Sequence, residues 1–345
     1  MIDNKRGSSY LNSLPEGLSA EECDRYSAVV SLCWNVLGEL QDVEFKWHEP
    51  LAYHTTFRVG GPAACLARPR SESALLALLE RVRENSVPYV VLGGGSNVIV
   101  TDGPIPALVI QLIHVAAGLA FSKGRSSSRP LVVVGAGVPI SRLLRFCVRN
   151  ELGGLECLVG IPGSVGGAVV MNAGTAEGTI AETLEWLDAL DGAGQRQLVF
   201  RADLPAGYRC MGLSEDWLIL GGAFRLRVSS GRSLKREMRS LMVRRKATQP
   251  LGWPSAGCVF KNPVEAPAGA LIERAGLKGF RMGNAQVSEK HANWIINLGS
   301  ARARDILALI SLVENEVFGK FGVRLEREIR ILSPEKNSLN QMLNS

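Results

Sequence analysis

The chain of 345 residues has no C-x-x-C pair among its seven cysteines, which stand at irregular positions from Cys23 to Cys258. That absence argues against a cysteine-held metal, and the odd count leaves one thiol over from any full disulfide pairing, so a reducing compartment is expected. No uninterrupted apolar run approaches the roughly 20 residues of a membrane helix. The N-terminus, with Asp3, Asn4, Lys5 and Arg6, is polar and does not read as a signal peptide. Aromatic residues make up only 6%, and the net charge of +6 is scattered, with no long basic block. Such a charge suits an anionic small molecule at least as well as nucleic acid. Internal repeats and low-complexity tracts are also missing. What is there is an ordinary globular composition, 46% apolar and 21% charged, on a chain long enough for two or three domains.

Glycine is plentiful, and it is concentrated. The stretch 153–174 reads GGLECLVGIPGSVGGAVVMNAG. Gly160, Gly163, Gly166 and Gly167 open backbone conformations closed to other residues and let a ligand come close. Ser164 is placed to cap a helix from Val165, whose free N–H groups would make an anion site. A tight turn in a core explains the same pattern equally well. A second stretch, LGGGSN at 92–97, has the same chemistry after a strand-like run. Two such loops could embrace a diphosphate. The spacing is not that of a dinucleotide fold, because Asn97 leads into another strand-like run, Val98–Val100.

In chain order, Ser19 and Glu22 have the form of a capping box, and apolar residues from Tyr26 to Leu40 recur at helical spacing. A strand at Ala63–Ala67, a helix from Ser71 to about Glu84 and a strand at Val87–Leu92 make a first α/β unit. Arg58, in the turn before it, is equally a phosphate ligand or a solvated cation. His54 reads as structural. Strands at Ala107–Leu112, Leu131–Val134, Leu184–Leu190 and Trp217–Arg227, with a helix at Ile140–Arg149, make a strand-rich second unit; Lys123–Pro130 is an exposed turn. A basic helix at 231–247 reads as a solvated face. A short helix at Ala268–Ala275, a strand at Trp294–Asn297, a long helix at Arg302–Lys320 and a strand at Val323–Leu332 complete a third unit. The expected class is α+β. The division is a one-helix extension at 1–44, units at 45–105, 106–229 and 230–332, and a polar tail at 333–345.

The blocks HTTFRVGGPA, LGGGSN, GLECLVGIPGSVGGAVVMNAG, GYR at 207–209, SAGCVFKNP, LIERAGLKG, VSEKHANWIIN and LEREIR occur in that order between about 45 and 332. Together they resemble the UDP-N-acetylenolpyruvoylglucosamine reductase (MurB) family, in its shorter form. The resemblance implies a two-part FAD-binding domain of the PCMH type, followed by an α+β substrate-binding domain. It implies non-covalent FAD, NADPH as co-substrate, a UDP-sugar substrate in the cytoplasm, and no metal, nucleic acid or membrane. The implied reaction reduces the enolpyruvyl ether of UDP-N-acetylglucosamine to UDP-N-acetylmuramate for peptidoglycan. The alternatives are a flavin-linked oxidase on the same scaffold and a non-catalytic nucleotide-binding protein.

The resemblance also assigns residues. Arg58, Gly93, Gly94, Gly95, Ser96, Asn97, Gly160, Ile161, Pro162, Gly163, Ser164 and Gly167 would face the cofactor. Tyr208, Lys246, Asn262 and Lys278 would face substrate; His291 and Asn293 are equally cleft-lining or structural. Addition of hydride to the enolpyruvyl group leaves negative charge beside a carboxylate, so the site needs a cationic stabiliser and a proton donor. Arg209 matches the stabilising arginine, and its guanidinium fork suits a carboxylate. Glu328 matches the family's glutamate, although strand alternation puts Glu326 on the same face. Cys258 stands where many members carry a donor serine. A thiol is the more acidic group and serves if it stays protonated. Two further departures are Thr175–Gly178, after NAG, and Met211, where serine is common.

Overall fold

The computed structural model describes residues 19–115, 118–122 and 129–335. The extension before Ser19, the turn at 123–128 and the tail from 336 lie outside the described residues.

Helix α1 (Ala20–Leu37) starts at the expected capping box, with Ser19 Oγ accepting from the Glu22 N–H and the Glu22 carboxylate from the Ser19 N–H. Its Tyr26, Cys33 and Leu37 are buried against the body. Strand β1 (Val43–Pro50), which the sequence reading did not identify, runs antiparallel to β2 (Pro62–Pro69). Helix α2 (Glu72–Glu84), capped by Ser71, leads to β3 (Tyr89–Val91). The LGGGSN turn then joins it to β4 (Val98–Val100). Strand β5 (Ile105–Ile110) lies between β2 and β3, parallel to both, and all six of its residues are buried. Covered faces on both sides are the rule for parallel strands. This strand therefore belongs to the first sheet. The expected division after residue 105 cuts it, because a parallel neighbour is chosen by a long crossover rather than by local pattern.

The second unit is an antiparallel sheet. It comprises β6 (Leu119–Ser122), β7 (Leu131–Gly135), helix α3 (Ile140–Arg149), β8 (Leu152–Gly153), helix α4 (Val165–Val170), a two-rung hairpin β9 (Gly174–Thr175) and β10 (Gly178–Thr179), then β11 (Leu184–Leu190), β12 (Arg196–Phe200), β13 (Leu218–Arg225) and β14 (Arg227–Val228). The main sheet has the order β12-β11-β13-β7-β6. Its inner face shares one apolar cluster with α1, α2 and α3.

The third unit holds α5 (Gly231–Thr248), α6 (Ala268–Arg274), a three-stranded sheet of β15 (Arg281–Met282), β16 (Ala285–Val287) and β17 (Ile295–Asn297), helix α7 (Ala303–Phe321) and β18 (Arg330–Leu332). It is tied to the first unit in three ways. Phe57, Val59 and Ile99 join its core. The Asp102 carboxylate accepts from the N–H groups of Ala303 and Arg304 and so caps α7 from outside. Strand β18 pairs in parallel with β4. The expected strand at Val323–Leu332 is a ladder only over its last three residues. Before them the chain meets Val259–Lys261 through an isolated bridge, Phe260 to Arg327, and bonds from the Glu328 and Lys261 N–H groups.

Candidate active site

The two glycine loops touch. A methyl group on Gly94 would stand 2.5 Å from the Gly163 Cα, and one on Gly163 would stand 2.8 Å from Ser96 Oγ. Gly163 also holds φ at +113°, which side-chain-bearing residues rarely adopt. Ser96 Oγ donates to the Pro162 carbonyl at 3.2 Å and fastens one loop to the other. The turn that carries exposed Arg58 packs on the same place, because the Thr56 N–H donates to the Gly95 carbonyl.

The first N–H groups of α4, from Val165 onward, are already paired. At the start of α4 the Val165 and Gly166 N–H groups donate to the Val138 and Ala136 carbonyls, and the Gly167 N–H to Ser164 Oγ. Those three donors are taken, while the N–H groups of Gly163 and Ser164, just before the helix, donate to no acceptor among the described residues. The N–H groups of Gly93, Gly94, Gly95, Ser96 and Asn97, on the facing loop, likewise donate to no acceptor among the described residues. A run of unpaired N–H groups on a glycine turn is a nest for anionic oxygens.

Helix α4 instead positions Arg209. The Met211 N–H donates to the Val170 carbonyl, and the Asn172 amide donates to the Gly207 carbonyl at 2.8 Å. Met211 is buried in the core, so this departure from serine fills space. The strained turn places Arg209 at φ +57°, with Nη1 on the Gly174 carbonyl and the guanidinium 5.4 Å from the Tyr208 ring. Arg209 Nε reaches Glu328 Oε1 at 2.8 Å.

Cys258 and Glu328 meet because 258–261 and 326–329 run side by side, with the Glu328 N–H on the Val259 carbonyl and the Lys261 N–H on the Glu326 carbonyl. The Asn97 amide donates to the Glu328 carbonyl and so links the glycine turn to this pair. The structure separates the two candidate glutamates. Glu326 is 71% exposed and paired with Lys261, whereas Glu328 is largely buried beside Arg209. Burial raises the Glu328 carboxyl above its ordinary range, against the pull of Arg209 and Lys261. Burial and the Glu328 charge push the Cys258 thiol up to about 11, against Arg209, Trp294 and Arg245. The thiol therefore keeps its proton at neutral pH.

Comparison with known proteins accounts for this arrangement. The family model described as "FAD binding domain" matches residues 63–198, and that described as "UDP-N-acetylenolpyruvoylglucosamine reductase, C-terminal domain" matches 249–332. The UDP-N-acetylenolpyruvoylglucosamine reductase of Syntrophobacter fumaroxidans is 97% identical over 345 residues, covering all of both chains. The chain belongs to the UDP-N-acetylenolpyruvoylglucosamine reductase family. Its relative from Heliobacterium modesticaldum is 41% identical over 296 residues, covering 85% of this chain and 92% of that one. The crystal structure of MurB from Thermus caldophilus covers 84% of this chain and 99% of its own, at 35% identity and a TM-score of 0.69. Both glycine loops lie inside the FAD-binding match, and the unpaired donors at 93–97 fit the diphosphate of FAD.

The remaining expected residues divide. Asn262 Oδ1 accepts from the Ala268 N–H and starts α6. Lys278 is paired with Glu273 at 2.7 Å. Asn293 bonds both backbone groups of Phe260 and fixes the segment after Cys258. Lys246 lines a cavity with Trp253 and Lys290. The hairpin at Thr175–Gly178 is tied to α5 by a Glu177–Arg244 ion pair at 2.7 Å. Two site residues escaped the sequence reading. Trp294 and Arg245 both act on the Cys258 thiol. Arg245 is largely buried; its Nη1 donates to the Val159 carbonyl at 2.7 Å and its Nε to Gln249 at 2.9 Å. The basic helix is thus not wholly a solvated face. Leu234, Met238, Leu241, Met242 and Arg245 recur at helical spacing, and that stripe was the available signal.

Proposed function

We propose that this chain reduces the enolpyruvyl ether of UDP-N-acetylglucosamine-enolpyruvate with NADPH, giving UDP-N-acetylmuramate for peptidoglycan precursor synthesis. The observation that carries the reading is the Cys258 thiol held beside a largely buried Arg209–Glu328 pair, on a segment bonded to the one that carries Glu328. Bound FAD supplies two-electron chemistry between the two nucleotides. Gly93–Asn97 would hold its diphosphate non-covalently through backbone N–H groups, with the Gly160–Ser164 loop packed against them and Arg58 alongside.

Each of the three side chains has one task. Arg209 offers its guanidinium to the enolpyruvyl carboxylate, where negative charge gathers. Glu328 holds that guanidinium in place. Cys258 gives its proton to the carbon next to the carboxylate, and the high thiol pKa ensures that the proton is present. The family resemblance places the reaction in the cytoplasm; no described helix is long and apolar enough to cross a membrane. The test is the visible absorbance of the purified protein under anaerobic conditions. NADPH should bleach the flavin band, and the enolpyruvyl sugar nucleotide should restore it with one mole of product per flavin. Recovery only on admitting oxygen would identify an oxidase and overturn the reading.

A further inference from the structure

A buried donor beside the reacting groups is unpaired. Trp294 is 6% exposed, and its indole Nε1 is enclosed with no hydrogen-bond partner among the described residues. Leaving a buried donor unsatisfied is costly and uncommon, which points to an acceptor that the resting site does not provide.

The backbone fixes where that donor stands. The Asn293 side chain bonds both backbone groups of Phe260, and the Asn293 carbonyl accepts from the Val259 N–H at 2.9 Å. The Trp294 N–H donates to the His291 carbonyl, and the Trp294 carbonyl accepts from the Ser288 N–H. Trp294 is thereby held beside the segment that carries Cys258, and its indole N–H favours the charged form of that thiol.

Charge arrives on that sulfur in the reaction proposed above. When Cys258 protonates the carbon beside the carboxylate, the S–H bond breaks, a C–H bond forms and the electron pair stays on sulfur. The thiolate regains a proton from water before the next turnover. The Glu328 carboxylate opposes that second negative charge, whereas Arg209 and Arg245 favour it. Both arginines already have partners: Arg209 the Glu328 carboxylate and the Gly174 carbonyl, Arg245 the Val159 carbonyl and Gln249. The indole N–H has none, and it donates without being able to accept. It therefore cannot take the thiol proton, which stays available for carbon, and it bonds most strongly once the sulfur is negative.

We propose that Trp294 is a positioning residue acting through Cys258, its indole N–H forming a hydrogen bond to the thiolate that proton transfer creates. The inference rests on the proposed reaction, with Cys258 as its donor.

The experiment keeps the two apart. Placing β-(3-benzothienyl)alanine at 294 exchanges the N–H for sulfur at nearly the same shape, and Trp294→Phe removes the N–H with part of the ring. In anaerobic stopped-flow on the holoenzyme, both should bleach with NADPH within about twofold of the parent and recover with the enolpyruvyl nucleotide about tenfold more slowly or worse. The same replacements in Cys258→Ala should slow recovery no further, because no thiolate forms there; a packing role would slow both backgrounds equally. Equal slowing in the two backgrounds, or parent-rate recovery in both 294 variants while Cys258→Ala is slow, overturns the inference alone. If Trp294→Phe fails to fold, the benzothienyl replacement decides. Parent-rate recovery in Cys258→Ala overturns the donor assignment instead, and a readout independent of the reaction then tests the bond. Alkylation of Cys258 by iodoacetamide between about pH 8 and 10, followed by the mass of its peptide, should be about tenfold slower in the benzothienyl variant, because less thiolate is present. An equal alkylation rate would overturn the bond to the thiolate, whatever the reaction proves to be.

Discussion

Arg209 and Glu328 lie 119 positions apart in the chain and 2.8 Å apart in space. One stands on a turn stitched to α4, the other on the segment entering β18. Their contact joins the second unit to the third beside the segment that carries Cys258. Removing either charge should disturb the chemistry more than the fold. Arg209→Lys keeps the charge and loses the fork. Glu328→Gln keeps the shape and loses the charge, and burial already opposes ionisation there. Each should lower turnover by about 10²-fold or more, while Tm moves by only a few degrees. Steady-state rates with thermal melts check this. A collapsed Tm with a normal rate in the folded fraction would make the pair structural.

The loop contact predicts a different phenotype for Gly163. A side chain there meets Ser96 and is strained at φ +113°. Strain of this kind costs about 1–3 kcal/mol. Gly163→Ala should therefore loosen the fit between the loops and lower flavin retention, read as the ratio of visible to ultraviolet absorbance after gel filtration. The Gly166→Ala change, where a methyl would press on Ala136 Cβ, should destabilise α4 and Arg209 with it. Full flavin content and an unchanged melt in Gly163→Ala would show that the contact is not needed.

Local chemistry made much of this architecture legible. The Ser19–Glu22 capping box, the Ser71 cap and apolar periodicity located α1, α2 and α3, and the ordered motif blocks singled out Arg209 and Glu328, which the structure pairs, and Cys258 on the neighbouring segment. Pairing at a distance was not legible. Strand β5 looks like the start of a new unit until its parallel partners are seen. The first turn of α4 looks like an anion site until the Val138 and Ala136 carbonyls are found to use its donors. Arg245 was hidden by its basic neighbours, since only its place on the Leu234–Met242 stripe distinguishes it from a solvated cation.

Buried thiols give a pH dependence with a definite sign. Burial raises Cys33 and Cys147 from about 9 to about 12 and Cys157 to about 11, and raises Cys65 as well. Between those values the unfolded chain releases protons that the folded chain keeps. Stability from this source is complete below about pH 9 and is lost as pH rises toward 11–12. Tm, measured in reductant, should therefore fall steadily from pH 9 to pH 10.5. Cys147→Ala should flatten part of that slope, even though its cavity lowers Tm at pH 7.5. A parallel fall in parent and variant would assign the alkaline loss to other groups.

Cys258 should separate the two halves of the reaction. Its proton is needed only where carbon beside the carboxylate must be protonated, which happens with the enolpyruvyl nucleotide and not with NADPH. Cys258→Ala should bleach with NADPH at a near-normal rate and recover colour with substrate about 10²- to 10⁴-fold slower, the usual contribution of a general acid. Cys258→Ser should keep much of the activity, because a hydroxyl in that position carries a proton at every pH of interest. The parent thiol, held at about 11, should likewise show no loss of its donor between pH 7 and 9. A drop in the recovery rate centred near pH 8.5 would mean that the thiol ionises at its unperturbed value. Stopped-flow absorbance of each half-reaction, run anaerobically across that range, supplies all three comparisons. Recovery in Cys258→Ala as fast as in the parent would make Cys258 a packing residue and place the donor elsewhere.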